Sequence, residues 1–123
     1  MSEPVLTGSA KDMELGRTGL RVPRIGVGVM NWGDPKAFPR FNPARLAYGL
    51  AEGPEELQAA VDISLQEGAR FFDTAAMYGN GESEKMLGML TRGRDVLLAS
   101  KFPISRFAKD DQVPAVLDGS LAR

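Results

Sequence analysis

Apolar positions along the chain fall into two patterns, short continuous runs and longer stretches with helical spacing. The runs lie at Arg24 to Met30, from Phe71 and Phe72 into DTAAMYGNG, and at Asp95 to Phe102. Runs this short and this apolar are typical of buried strands. The stretches that follow them repeat apolar residues every three or four positions, which predicts amphipathic helices. Strand and helix therefore alternate three times, the pattern of parallel βαβ units.

Local signals mark where the three predicted helices begin. Pro54 stands at a favoured first helical position, and two glutamates follow it near the positive end of the helix dipole. Gly81 leads into the second helix, ESEKMLGMLTRG. Asp111 precedes the third helix, which carries Pro114 in its first turn.

Three further segments flank the first strand. Residues 13–23 place a Gly/Thr turn between two short alternating segments, which predicts a hairpin that pairs Met13–Gly16 with Leu20–Val22. Residues 1–12 lack an apolar core and a basic leader, so we expect a disordered tail without a secretory signal. From Asn31 to Gly53 the chain is rich in Pro, Gly and aromatic residues without periodicity, and connections of that length are usually functional.

Composition narrows the classes of function. The chain has 123 residues, of which 43% are apolar and 25% charged, the balance of one soluble globular domain. The net charge of -1, with interspersed signs, gives no basic surface for nucleic acid and no polybasic segment for a membrane. Without cysteine or histidine, the chain has neither a disulfide framework nor the commonest metal ligands, so we predict no metal site. The lack of cysteine fits a cytoplasmic protein.

The order of elements predicts an α/β fold, a partial (β/α)8 TIM barrel with an N-terminal β-hairpin and three βα units. A complete barrel needs about 250 residues, so residues 13–123 would supply roughly half, the N-terminal part of an incomplete domain. We expect the isolated chain to be inactive. Its open strand edges would also favour self-association.

Three residues at the predicted strand ends carry candidate chemistry. Asp73 follows two phenylalanines and Lys101 follows VLLAS, at strand ends where an ionised side chain is costly unless it is paired, and Tyr78 lies in the loop after the second strand. An ammonium beside a phenol stabilises the phenolate and makes the hydroxyl a better proton donor. Such a hydroxyl can protonate a carbonyl oxygen while a cofactor delivers hydride to the carbon. Taken singly, each residue also fits a plain structural role in a turn or at the surface.

Three stretches resemble the opening of the aldo-keto reductases: ELGRTGLRVPRIGVG, FFDTAAMYGNGESEKMLG, and LLASKF with SLAR. The second is the most specific, since Asp, Tyr and a Gly-Glu-Ser helix start follow in the order that family uses. The resemblance implies that Tyr78 is the proton donor, that Lys101 makes Tyr78 more acidic, and that Asp73 pairs with Lys101. The family's fourth catalytic residue, a histidine after the fourth strand, has no counterpart in this chain.

The same resemblance implies a cofactor and a substrate. NADPH would supply the hydride, with early contacts from Val29, Met30 and Asp73, and Trp32 would line the pocket of a small aldehyde or ketone. Two alternatives stay open. One is a non-catalytic nicotinamide-binding sensor or regulatory subunit, and the other is a half barrel that assembles with another chain.

Overall fold

The computed structural model describes residues 12–33, 36, 53–102 and 112–123. The predicted tail lies outside these residues except for Asp12, whose carboxylate is 3.5 Å from the Arg70 guanidinium. Most of the predicted long connection, residues 34–35 and 37–52, also lies outside them. Both predictions therefore remain predictions.

Five strands and three helices are present in the described residues. The hairpin consists of two short antiparallel strands, β1 and β2, in which Met13 faces Val22. The larger sheet contains three parallel strands in the order β3-β4-β5, joined by helices as predicted. The bounds are β1 Met13–Glu14, β2 Arg21–Val22, β3 Gly26–Gly28, α1 Pro54–Gln66, β4 Phe71–Asp73, α2 Glu82–Thr91, β5 Leu97–Ala99 and α3 Val113–Leu121.

The helix ends follow from single residues. α1 begins at Pro54, where a missing N–H costs no helical hydrogen bond. It ends at Gln66, and Gly68 then takes a left-handed conformation (φ 79) that turns the chain toward β4. Gly81 also takes a left-handed conformation (φ 93), at the position that directly precedes α2. None of the helices in the described ranges combines the length and the apolarity that a membrane crossing requires.

The core lies between the sheet and the helices on one of its faces. Phe72, at the centre of the middle strand, is fully buried, and its ring centroid is 6.3 Å from that of Trp32. Buried side chains from β4, α1 and α2 and from the segment after β3 meet there. They are Val29, Trp32, Leu57, Val61, Phe72, Leu87 and Leu90.

The outer strands are less buried than their apolar sequences predict. Leu98 in β5 is 53% exposed and both glycines of β3 are exposed, whereas Phe72 between them is inaccessible. The described helices cover only one face of the sheet, which we call the helix-covered face. The opposite face, reached by Asp73, is called the open face.

The packing of α1 makes a clear prediction for stability. Val61 is fully buried and Ile63, two residues later, is 60% exposed. In the full-length protein, Val61→Ala should lower the free energy of unfolding by about 2 kcal/mol, because two methyl groups leave a cavity. Ile63→Ala, the matched control, should change it by less than about 0.5 kcal/mol. Urea denaturation measures both, and equal losses would contradict the assigned face of α1.

Candidate active site

The register of the parallel sheet places Asp73 and Lys101 on the same face. Asp73, the last residue of β4, lies opposite Ala99, the last residue of β5. Lys101 is two residues beyond Ala99, and side chains two residues apart along an extended chain point the same way. Backbone hydrogen bonds continue the pairing past the strand ends, from Thr74 N to Ala99 O at 2.8 Å and from Ala76 N to Lys101 O at 2.9 Å. Both side chains therefore emerge at the carboxyl edge of the open face.

The Lys101 ammonium is held by three oxygen atoms. Its Nζ donates to Asp73 Oδ1 at 3.0 Å, to Asp73 Oδ2 at 2.9 Å and to the Thr74 carbonyl oxygen at 2.8 Å. The Lys101 and Asp73 side chains are 50% and 51% exposed. The carboxylate and the carbonyl thus aim the ammonium while the pair stays open to solvent on one side.

Tyr78 approaches the pair from a strained turn. It begins the 3-10 turn Tyr78–Gly81, and its N–H donates to the Ala75 carbonyl oxygen at 3.1 Å. The next three residues all adopt positive φ angles, 55 at Gly79, 56 at Asn80 and 93 at Gly81. An asparagine tolerates this region better than most side chains do. The turn brings the half-buried Tyr78 ring to 5.1 Å from Lys101 Nζ, measured to the ring centroid.

These contacts change the acidity of the ammonium. Partial burial acts to lower the pKa of Lys101, but hydrogen bonding with Asp73 and with Tyr78, and the negative charge of Asp73, outweigh it and raise the pKa above the ordinary 10.5. The pair therefore adds stability below pH 10.5, and this is lost as the pH rises through the higher folded-state pKa. Because both side chains are half exposed, the contribution is small. Near neutral pH Lys101 is a fixed positive charge beside the phenol.

A buried chain of hydroxyl groups supports the strand ends from the helix-covered side. Ser83, in the first turn of α2, donates its hydroxyl to the Val29 carbonyl oxygen at 2.8 Å. The Ser83 Oγ is also 3.0 Å from the Thr74 hydroxyl oxygen. Thr74 must donate in this bond, because the single hydroxyl proton of Ser83 is already donated to Val29. α2 thereby joins the ends of β3 and β4. This link was not predicted from the sequence, although a small polar residue directly after a strand, Thr74, and another in the first turn of the next helix, Ser83, were a visible signal.

A buried carboxylate forms a second support that the sequence analysis also missed. Glu84 in α2 has a side chain only 5% exposed, and its Oε2 accepts from Arg123 Nε at 2.7 Å. Its Oε1 accepts from the Ser100 hydroxyl at 2.5 Å. Burial acts to raise the pKa of Glu84, but hydrogen bonds from Ser100, Arg123 and Ser120 overcome it and lower the pKa below the ordinary 4.5. Its stabilisation is present above pH 4.5 and is lost as the pH falls through the lowered pKa.

The other predicted site residues lie beside the cluster. Val29 is fully buried and Trp32 is 6% exposed, and both belong to the core. Met30, between them, is 37% exposed. The structure thus brings Asp73, Tyr78 and Lys101 together, and leaves Met30 accessible near the end of the first strand of the sheet. Cofactor contacts at Val29 and Met30, and a substrate contact at Trp32, stay predictions.

The amino-acid sequence is similar to that of a known protein family. The sequence profile of the Aldo/keto reductase family matches residues 24–122. Versiconal hemiacetal acetate reductase of Aspergillus parasiticus is 30% identical over 104 residues, which are 80% of this chain and 26% of the relative. The chloroplastic pyridoxal reductase of Arabidopsis thaliana is 30% identical over 96 residues, 68% of this chain and 24% of the relative. The chain thus spans about a quarter of the length of these relatives.

Solved structures show the same fold. A thermostable aldo-keto reductase in complex with the inhibitor epalrestat aligns over 90% of this chain and 37% of its own, with a TM-score of 0.64 and 26% identity. A putative aldo-keto reductase from Pseudomonas aeruginosa aligns over 90% of this chain and 42% of its own, with a TM-score of 0.70 and 24% identity. The prediction of a partial (β/α)8 barrel is confirmed.

The ion pair at the strand ends makes a prediction that needs no substrate. In the full-length protein, Asp73→Asn should lower the pKa of Lys101 relative to the native protein, because the change removes the main influence that raises it. Carbon NMR of protein labelled at the lysine ε-carbon follows this titration directly.

Asp95→Asn is the matched control, because Asp95 is 92% exposed and lies 3.4 Å from Arg70 at the opposite end of β5. It should leave the Lys101 titration unchanged. If Lys101 titrated alike in Asp73→Asn and in the native protein, Asp73 would not be its electrostatic partner.

Proposed function

The chain belongs to the aldo/keto reductase family, and from that premise we propose that the full-length protein is an oxidoreductase that reduces aldehydes or ketones to alcohols with hydride from NADPH. The observation that carries this proposal is the meeting of Asp73, Tyr78 and Lys101 at one edge of the parallel sheet. Two similar proteins named as reductases support the direction of the reaction. A cytoplasmic location, which the lack of cysteine suggests, belongs to the same proposal.

Tyr78 is the proton donor in this mechanism. As a carbonyl carbon is reduced, negative charge grows on its oxygen, and a phenol within hydrogen-bonding reach stabilises that charge and then gives up its proton. Lys101 lies beside the ring with its positive charge, so the phenolate left behind has a cation next to it. Asp73 and the Thr74 carbonyl oxygen hold the ammonium in place.

The residues at this edge fit a nicotinamide cofactor. When bound, NADPH supplies the hydride. Asp73 is half exposed, so its carboxylate can accept hydrogen bonds from a ligand as well as from Lys101. Met30 offers an accessible apolar side chain near the end of β3, a surface suited to a flat ring. These two residues would bind the cofactor beside Tyr78.

The decisive variant removes one oxygen atom. In the full-length protein, Tyr78→Phe should lower kcat for carbonyl reduction by about 100- to 10,000-fold, because the general acid is lost. NADPH binding should persist, since the cofactor contacts proposed here are made by other residues. Turnover is followed by NADPH absorbance with a panel of aldehydes and ketones, and binding by quenching of Trp32 fluorescence.

The two readouts separate the alternatives. Turnover near the native rate in Tyr78→Phe would show that another group donates the proton. A native protein that binds NADPH but reduces no carbonyl compound would point to the nicotinamide-binding sensor instead.

A further inference from the structure

Glu84 is an ionised group in the core that the proposed mechanism does not use. A carboxylate with a 5% exposed side chain is costly unless its oxygens are satisfied. Its position in α2 would suit an apolar residue for packing alone, since Leu87, one turn later, is fully buried. Two of the hydrogen-bond partners of Glu84, Ser100 and Arg123, therefore indicate what the charge does.

Ser100 is the residue directly before Lys101. Successive side chains of an extended chain point to opposite faces of the sheet. The Ser100 hydroxyl donates to Glu84 in α2, so it points to the helix-covered face. Lys101 accordingly points to the open face, where Asp73 and the Thr74 carbonyl oxygen receive its ammonium.

We propose that Glu84 is a positioning residue for Lys101: it holds Ser100 on the helix-covered face and so fixes the direction in which Lys101 leaves the end of β5. This inference rests on the proposed reductase function for its kinetic consequence. Its structural consequence, the placement of the ammonium, stands independently of any substrate.

Arg123 strengthens this role because it secures the second carboxylate oxygen. Its Nε donates to Glu84 Oε2 at 2.7 Å, which connects α2 to a residue two positions beyond the end of α3. The fit is close, since a Cβ on Gly88 would lie 2.9 Å from the Arg123 carbonyl oxygen and a Cβ on Gly81 would lie 3.2 Å from its Cδ. With Oε2 engaged in this way, Oε1 is oriented toward Ser100.

Backbone pairing alone provides weaker control of direction. The backbone hydrogen bonds from Thr74 and Ala76 fix the register of the end of β5 against β4. These backbone bonds do not hold the Ser100 side chain, and the Glu84 bond to Ser100 adds a side-chain contact on the helix-covered face at this end of β5.

The most selective test removes the link and keeps the Glu84–Arg123 ion pair. In the full-length protein, Ser100→Ala should lower kcat by about 10- to 100-fold with the best substrate of an aldehyde and ketone panel, because the group that polarises Tyr78 is misplaced. KM should change little. The Lys101 titration, followed by carbon NMR, should shift to lower pH because pairing with Asp73 loosens.

Ser64→Ala is the control for loss of a serine hydroxyl, since the half-buried Ser64 donates to the Ala60 carbonyl oxygen within α1, away from the site. Glu84→Ala, provided that the variant folds, should reproduce the effect of Ser100→Ala on kcat and on the Lys101 titration. Glu82→Gln is its control, because it removes a negative charge near the start of α2.

If Ser100→Ala matched Ser64→Ala in both kcat and Lys101 titration, Glu84 would have no positioning role. If the native protein reduced no member of the panel, the proposed function would be wrong, but the positioning role would still stand. That role would be overturned separately by a Lys101 titration that does not shift in Ser100→Ala.

Discussion

The direction of the Lys101 side chain is the constraint on which the candidate site depends. Two rules of backbone geometry set its face, the alternation of side chains along an extended chain and the parallel register that places Asp73 opposite Ala99, and the proposed Glu84–Ser100 support holds it there. A shift of one residue in that register would bring Ser100 to the open face and send the ammonium toward the helices. The chemistry at this edge therefore depends first on backbone geometry and only then on charge.

Two carboxylates at this end of the sheet work in different environments. Asp73 is half exposed on the open face and pairs with an ammonium that solvent also reaches. Glu84 is nearly inaccessible on the helix-covered face, where its oxygens are satisfied by Ser100 and Arg123. The exposed carboxylate can exchange partners when ligands arrive, whereas the buried one would leave uncompensated polar groups if it moved. The structure thus combines an adaptable pair with a fixed support.

The sequence was informative where local rules decide and silent where packing decides. The strands near Phe72 and Leu98 and the start of α1 at Pro54 followed from apolar runs and helix signals, as did the position of Asp73 at a strand end. The supports from Ser83 and Glu84 did not, because they depend on which face of α2 meets the sheet. The low burial of Leu98 also differed from its apolar sequence, since burial reflects the neighbouring layers more than the strand itself.

If Lys101 acts on the reaction through the Tyr78 hydroxyl, the two side chains should be coupled in a double-mutant cycle on kcat in the full-length protein. We expect Lys101→Met to lower kcat of the native enzyme severely and to add little further loss to Tyr78→Phe, because the hydroxyl on which Lys101 acts is already absent. Equal losses from Lys101→Met in both backgrounds, so that the two effects multiply, would contradict it.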